Sequence, residues 1–485
     1  MQDKNFHFSI LKSTGIFGVS HLVKIVAKVI VNKVAALYLG TIGIGIIGLV
    51  ENLLSVLYGF VNFGIPASSV REIALATNES DTDLSDENRK IKIILYWSIF
   101  SGILGGIVFA ITSYFFFTNF YPEGASFIWF FLLFIYFLFF SLFSAKIAIL
   151  QGKRQLKKMV VIQVWSAIIQ MISALFCYSF FGIDGIAISI LFSTVFSYVI
   201  IYFYTINIDV SSISISLRQV FFEGLPMVKL GLILSMGALI NQIAYYVIRL
   251  FLMDFLSLEA LGIFQVSQTI LIGYLSLIFV VMSNDFYPQL CNLENDKSTF
   301  EKYINQQTQF ALFLVVPLVL GMYLFAPQII TLLYSTEFLD VLLVLKIALF
   351  GLILKTIAWP IGFISLVKGN RKLFFKQNLV SDLINVLTSV ILTYYFGLIG
   401  LGIAFSAMFL GSLGYNFFTV YKNYQFQFSS ETIQVIMFSI FLGLTALISL
   451  VWFEMSYENP IVLGAFFISI LFSIFKFKNN LKKTD

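Results

Sequence analysis

The chain has 485 residues, of which 59% are hydrophobic and only 11% charged, with a formal net charge of +5. Soluble domains carry about 25% charge, so this composition excludes a water-soluble globule and makes lipid the solvent. The two histidines, His7 and His21, are too few for a histidine-based metal site, and neither a cofactor nor a nucleic-acid partner is expected.

A spanning helix needs about 20 mostly apolar residues. Fourteen segments qualify: 9–37, 43–65, 91–117, 127–150, 159–180, 184–206, 227–252, 261–283, 308–334, 341–367, 378–396, 400–421, 431–453 and 459–475. Runs of this continuity exclude a β-barrel, whose strands alternate over about ten residues. The first run is far longer than a signal-peptide core and carries lysines, so it is taken as a retained helix. Cys177 and Cys291 fall in or near different predicted helices toward opposite faces, so no disulfide is expected.

Lysine and arginine fall on alternate connections. Arg71, Arg89 and Lys90, then Lys153, Arg154, Lys157 and Lys158, then Arg218, Lys297 and Lys302, then Lys368, Arg371, Lys372 and Lys376 mark one side, and Lys422 and the C-terminal tail share it. The intervening connections hold no Lys or Arg, but do hold Glu123, Asp254, Glu259, Glu337, Asp340, Glu454 and Glu458. Basic loops stay cytoplasmic, so both termini are expected there. The stretch from Asn78 to Glu87 is expected to be a solvated loop.

An internal repeat organises the helices. Gln151-Gly152-Lys153-Arg154-Gln155-Leu156 returns as Lys368-Gly369-Asn370-Arg371-Lys372-Leu373, 217 residues later. Phe181-Gly182-Ile183-Asp184-Gly185-Ile186-Ala187-Ile188 returns as Phe396-Gly397-Leu398-Ile399-Gly400-Leu401-Gly402-Ile403 at 215, and Leu39 to Ile46 echoes Leu256 to Ile263 at 217. Helices 1–6 therefore match helices 7–12 as parallel six-helix repeats, an architecture that places a transporter's site between its halves. The expected division is an N-terminal lobe at 1–207, a cytoplasmic linker at 208–226, a C-terminal lobe at 227–422, and two extra helices with a basic tail at 423–485. The fold class is an all-α integral membrane protein of about fourteen transmembrane helices. The short loops leave no extramembrane domain for soluble chemistry, and no enzyme activity is expected.

The candidate site residues are polar groups inside apolar helices. His21, Lys24, Lys28 and Asn32 lie within about 80° of one another on helix 1. A lysine at the bilayer centre costs roughly 2.5–3.5 kcal/mol, so this stripe predicts a hydrated, positively charged cavity; snorkelling or a structural ion pair is the alternative. Glu51, Ser55, Tyr58 and Asn62 form a second stripe, within about 60°. Glu51 either pairs with Lys28 or Lys24, or carries H⁺ or Na⁺ in coupling to an ion gradient. On helix 7, the repeat aligns Asn241 with Lys24, Tyr245 with Lys28 and Arg249 with Asn32. Arg249 is alternatively an anchor at the outer interface. Lys355 is the deeper of two lysines on helix 10, opposite Lys346. Asp382 and Asn385 are expected to cap helix 11 or meet headgroups. Gly43-Ile44-Gly45-Ile46-Ile47-Gly48 matches a dinucleotide fingerprint but follows no strand, and serves helix packing instead.

Leu11-Lys12-Ser13-Thr14-Gly15, Asn32-Lys33-Val34-Ala35, Leu39-Gly40, Gly45-Ile46-Ile47-Gly48-Leu49, Gly64-Ile65 and Val70-Arg71-Glu72-Ile73-Ala74 resemble the Wzx-type polysaccharide (O-antigen) flippases of the multidrug/oligosaccharidyl-lipid/polysaccharide (MOP) exporter superfamily. The resemblance implies translocation of an undecaprenyl-diphosphate-linked oligosaccharide, a unit of O-antigen, capsule or exopolysaccharide, across the bacterial cytoplasmic (inner) membrane by alternating access. It also implies membrane lipids and the polysaccharide polymerase or ligase machinery as partners. The fourteen predicted helices, where many such flippases have twelve, leave open a lipid II-type flippase of peptidoglycan synthesis. A cation-coupled multidrug exporter of the same superfamily is a further alternative.

Overall fold

The computed structural model describes residues 2–78, 84–120, 128–206, 215–450 and 452–481, and all regular structure among them is helical. Helices α1 (Gln2–Val61), α2 (Ile65–Asn78), α3 (Leu84–Phe120), α4 (Ile128–Gly152), α5 (Leu156–Phe181) and α6 (Gly185–Tyr204) precede α7 (Leu217–Phe255). Then follow α8 (Leu258–Gln268), α9 (Leu277–Asn292), α10 (Lys297–Leu333), α11 (Val341–Val367), α12 (Arg371–Tyr424), α13 (Ser430–Ser449) and α14 (Pro460–Leu481).

These helices are not the fourteen expected spans one for one. Among the described residues, ten stretches are long and apolar enough to cross a membrane. Three of them, Val23–Val61, Leu156–Tyr204 and Arg371–Tyr424, run to 39, 49 and 54 residues, well beyond one bilayer thickness. Each breaks at a glycine with positive φ: Gly40 (65°), Gly182 (55°) and Gly397 (58°). Glycine adopts that conformation without the steric cost of a Cβ. The three breaks fall where the sequence separates predicted spans 1 and 2, 5 and 6, and 11 and 12. Pro460–Lys476, at the expected last span, is a shorter apolar helix.

The repeat has a local structural counterpart at the Gly182 and Gly397 hairpins. A Cβ on Gly185 would come within 2.2 Å of the Cys177 carbonyl oxygen, and one on Gly400 within 2.1 Å of the Leu392 carbonyl oxygen. Cys177 and Leu392 are separated by the same 215 residues as the glycines. Both halves thus use one glycine to turn the chain and a second to let the returning helix touch its predecessor's backbone. The position of Gly40 corresponds at offset 217 to Ser257, which caps α8 by accepting from the Ala260 amide.

Two expected boundaries move. Span 2 was expected to run to 65, but α1 ends at Val61 and a turn follows, with Phe63 at φ 51° and Gly64 at φ 65°. Helix α2 then continues to Asn78, so Arg71 and Glu72 are helical rather than in a loop. The stretch from Asn78 to Glu87, expected to be a solvated loop, is helical at both ends: α2 includes Asn78, α3 begins at Leu84, and the Glu87 carboxylate pairs with Lys153 at 2.5 Å. Residues 79–83 lie outside the described residues.

The chain divides into two compact units, Met1–Gly43 with Leu49–Ile243, and Ile44–Gly48 with Ala244–Asp485. In the first unit α4 packs against α2, α3 and α6. Its core contains Ile73, Ile91, Ile94, Ile149, Val220 and Met227, and the Trp97 indole donates to the Val220 carbonyl at 3.1 Å. In the second unit α11 packs against α10 and α12. Leu345, Leu349, Leu352, Val319 and Tyr323 are fully buried, and the Tyr323 hydroxyl donates to the Lys346 carbonyl at 2.9 Å. The C-terminal helices belong to this unit. Ser473 donates to the Phe313 carbonyl at 3.0 Å, and Gln309 to Thr432 at 2.8 Å.

At the start of α10, Asp296 accepts from the Thr299 amide and hydroxyl. Those bonds hold its carboxyl below the ordinary aspartate range.

Candidate functional site

In the first unit, the helix-1 stripe lies on α1 upstream of its Gly40 break. The His21 side chain lies outside the described residues. Lys24 is half-buried, and its ammonium donates to Gln163 Oε1 of α5 at 2.6 Å. Lys28, one turn on, is exposed, and Asn32 is half-buried. Neither Lys24 nor Lys28 forms an ion pair among the described residues. Of the two alternatives for Glu51, pairing with either lysine is not made. Glu51 is exposed, and it has no ion pair among the described residues. Of the other members of its stripe, Ser55 bonds back to the Glu51 carbonyl at 2.8 Å. Tyr58 packs edge-on against Phe140, 4.8 Å between ring centroids. Asn62 lies just past the end of α1, where its Oδ1 accepts from the Gly64 amide at 2.6 Å and so shapes the turn.

The helix-7 residues divide between the two units. Asn241 is exposed and belongs to the first. Tyr245 and Arg249 belong to the second. Arg249 is only 8% exposed. Its guanidinium donates to Gln265 Oε1 at 2.8 Å and faces the rings of Tyr245 and Phe264 at 5.8 and 5.6 Å. That engagement inside the unit differs from the interfacial-anchor alternative, because an anchor keeps its charged head in water. Tyr245 lies near Asp382 and Asn385 of α12. Each of these is 8% exposed and well inside the helix. The expectation that they cap a helix is therefore corrected: Asn370 is the cap, accepting from the Leu373 amide at 3.1 Å. The helix starts seven residues earlier than the apolar run suggested, because Arg371, Lys372 and Lys376 hide its first turns from a hydropathy reading.

Lys355 points into the second unit. Its ammonium donates to Ser276 Oγ at 2.8 Å and lies 5.5 Å from the rings of both Phe279 and Phe409. Ser276 caps the break between a π-helical turn (Thr269–Tyr274) and α9, and bonds the Leu271 carbonyl at 2.7 Å. No acid pairs with Lys355 among the described residues. A buried charge without a counter-ion lowers stability unless it has other work to do. Lys355→Met is accordingly expected to leave the melting temperature unchanged or raise it, while lowering transport several-fold. A thermal melt and an export assay on the same variant check both halves.

Three polar partners were missed: Gln163, Gln265 and Lys146, whose ammonium donates to Thr205 at 2.8 Å. Each is a polar residue inside a predicted apolar span, and that position is the available signal.

Two lysines four residues apart, without counter-ions among the described residues and carried by a bundle of long apolar helices, belong to a multi-pass membrane protein with cationic groups on its first helix. The family model for polysaccharide biosynthesis proteins matches residues 39–343, and the chain belongs to that family. Its fold is that of the MOP superfamily of membrane flippases and transporters. A structure described as the lipid II flippase MurJ in an inward closed conformation is 16% identical, with a TM-score of 0.70 over 97% of this chain and 99% of that one. An inward-facing multidrug resistance MATE family transporter is 16% identical, with a TM-score of 0.69 over 82% and 93%. A MOP superfamily transporter from Pyrococcus furiosus, described as having a binding pocket of reverse polarity, is 15% identical, with a TM-score of 0.55 over 84% and 95%. No curated protein matches the chain.

Proposed function

We propose that this protein is a flippase for an undecaprenyl-diphosphate-linked oligosaccharide, a repeat unit of O-antigen, capsule or exopolysaccharide. It would work by alternating access in the bacterial cytoplasmic membrane, with both termini cytoplasmic. The observation that carries this reading is that Lys24 and Lys28 form no ion pair among the described residues. An ammonium in a low-dielectric wall attracts a diphosphate strongly, and a lysine already tied to a carboxylate would not. Within the first unit, Asn32 and Asn241 supply neutral hydrogen-bonding groups suited to sugar hydroxyls; within the second, Tyr245, Arg249 and Lys355 are the candidate polar groups. His21 completes the helix-1 stripe.

Supporting the choice of substrate class is membership of a polysaccharide biosynthesis family. The basic Lys24 and Lys28 stripe, upstream of the Gly40 break of α1, argues against a cationic-drug exporter. A lipid II-type substrate is the second reading, favoured by a structural match that takes in nearly the whole of both chains. The polymerase or ligase that consumes the flipped unit is the partner this function calls for.

The test is a deletion strain of the source organism, assayed for surface glycan and for the lipid-linked oligosaccharide pool. Loss of the glycan with build-up of the lipid-linked unit on the cytoplasmic side supports the proposal, and the trapped lipid identifies the substrate. Unchanged pools refute it. Glu51 is the proposed carrier of H⁺ or Na⁺. Glu51→Gln should abolish the response of transport to one imposed gradient while the protein remains folded; a normal response to both gradients removes Glu51 from that role.

A further inference from the structure

Helices α4, α5 and α6 converge on Leu150, Ile162 and Ile201, all fully buried. One turn before Leu150 stands Lys146, and one turn after Ile201, at the C-terminus of α6, stands Thr205. The Lys146 ammonium donates to Thr205 Oγ1 at 2.8 Å and lies 5.8 and 5.0 Å from the rings of Tyr198 and Tyr202. The Thr205 hydroxyl in turn donates to the Ile201 carbonyl at 2.7 Å, which fixes its lone pairs toward the lysine. An ammonium has three protons to give, and Thr205 takes one. No carboxylate pairs with Lys146 among the described residues.

The surroundings of this lysine have two characters. Val199, Tyr202 and Phe203 form an exposed apolar ridge on α6, at the i, i+3, i+4 spacing of one helix face, and exposed Ile206 follows in the turn beyond it. At the same end of the bundle, the turn from α4 into α5 carries Arg154, Lys157 and Lys158, all exposed and none in an ion pair among the described residues. A cation just below a basic rim, beside an apolar ridge, complements an amphiphile with a negative head and hydrocarbon tails. Basic pockets between transmembrane helices on the side of the basic loops bind anionic lipid headgroups by this charge match, and tyrosines favour the same interfacial depth.

We propose that this corner of α4 and α6 is a binding site for an anionic membrane phospholipid, with the Lys146 ammonium on the phosphate. The tails run along the α6 ridge, and the rings of Tyr198 and Tyr202 hold the ammonium in place. The site uses none of the residues assigned to substrate, and it stands or falls independently of the transported molecule.

The full-length protein, purified in neutral detergent, is tested by native mass spectrometry and thermal unfolding with phosphatidylglycerol, phosphatidylcholine and inorganic phosphate in turn. Phosphatidylglycerol should stay bound and raise the melting temperature, and the other two should not. Lys146→Ala should weaken phosphatidylglycerol binding by about fivefold, the effect of one cation near a membrane surface, and Lys146→Arg should retain most of it. Lys302→Ala, an exposed cation on α10, should change it less than twofold. Should Lys146→Ala fail to fold, Tyr202→Leu, at a ring that is 46% exposed, examines the same contact and should also weaken binding. The proposal is overturned by wild-type lipid retention in the Lys146 or Tyr202 variant, by equal loss in Lys302→Ala, or by equal protection from inorganic phosphate.

Discussion

Alanine in place of both Lys24 and Lys28 is expected to reduce glycan export to the level of the deletion strain, with the protein still in the membrane at near wild-type abundance. The asymmetry between the two effects follows from their surroundings. Lys28 is exposed and forms no ion pair among the described residues, and Lys24 donates a hydrogen bond to Gln163. Losing that bond costs about 1–3 kcal/mol at most, and removing a half-buried charge offsets part of it. For the substrate, both positive groups that would meet a diphosphate on this helix are gone. Lys28→Ala alone should have the larger single effect, since its ammonium is the less engaged of the two. Export and membrane abundance, measured on the same cultures, separate lost function from lost protein. Export that survives the double substitution sinks the assignment of this stripe.

Gly64→Ala should act the opposite way, removing the folded protein itself. Gly64 has φ 65°, and a Cβ there would lie 1.9 Å from the Gly231 carbonyl oxygen and 2.1 Å from its carbon. A left-handed conformation costs a non-glycine residue roughly 1–2 kcal/mol, and overpacking typically adds 1–3 kcal/mol. The neighbour is backbone on both sides, so no rotamer change relieves the clash. The expected loss of about 2–5 kcal/mol is a large share of a domain's stability. It should show as a lower melting temperature of the purified protein and a sharp fall in membrane abundance. A Gly64→Ala protein that melts like the wild type would mean that α2 and α7 do not approach through these two glycines.

The legible part of the fold is the part that composition and punctuation encode. Long apolar runs mark helices because a chain in lipid must satisfy every backbone group internally. The repeated Phe-Gly hairpin was visible as letters, and its geometry is local: a glycine at φ 55° or 58°, then a second glycine against a carbonyl. Helix ends were less legible. The turn at Phe63 and Gly64 falls inside a segment apolar enough to read as one span, and α3 and α12 begin among charged residues that a hydropathy window discards.

The candidate residues divide the same way. Lys24, Lys28, Arg249 and Lys355 stand out in the sequence because charge inside an apolar run is costly. What each one touches is a matter of helices distant in sequence. Lys24 meets Gln163 across 139 residues, and Lys355 meets Ser276 across 79. Periodicity along one helix says which residues share a face, but not which other helix that face meets.

The sequence by itself determined a repeated, all-helical membrane protein with cations on its first helix, since hydropathy, glycine and charge act locally on each segment. Only the tertiary structure decided that Lys28 stays open and Arg249 is enclosed, that Glu51 pairs with neither lysine, that Asp382 and Asn385 are interior, and that Lys146 has a hydroxyl and two rings in place of a carboxylate. Those outcomes depend on side chains brought together by packing, and packing distances are a property of the folded chain.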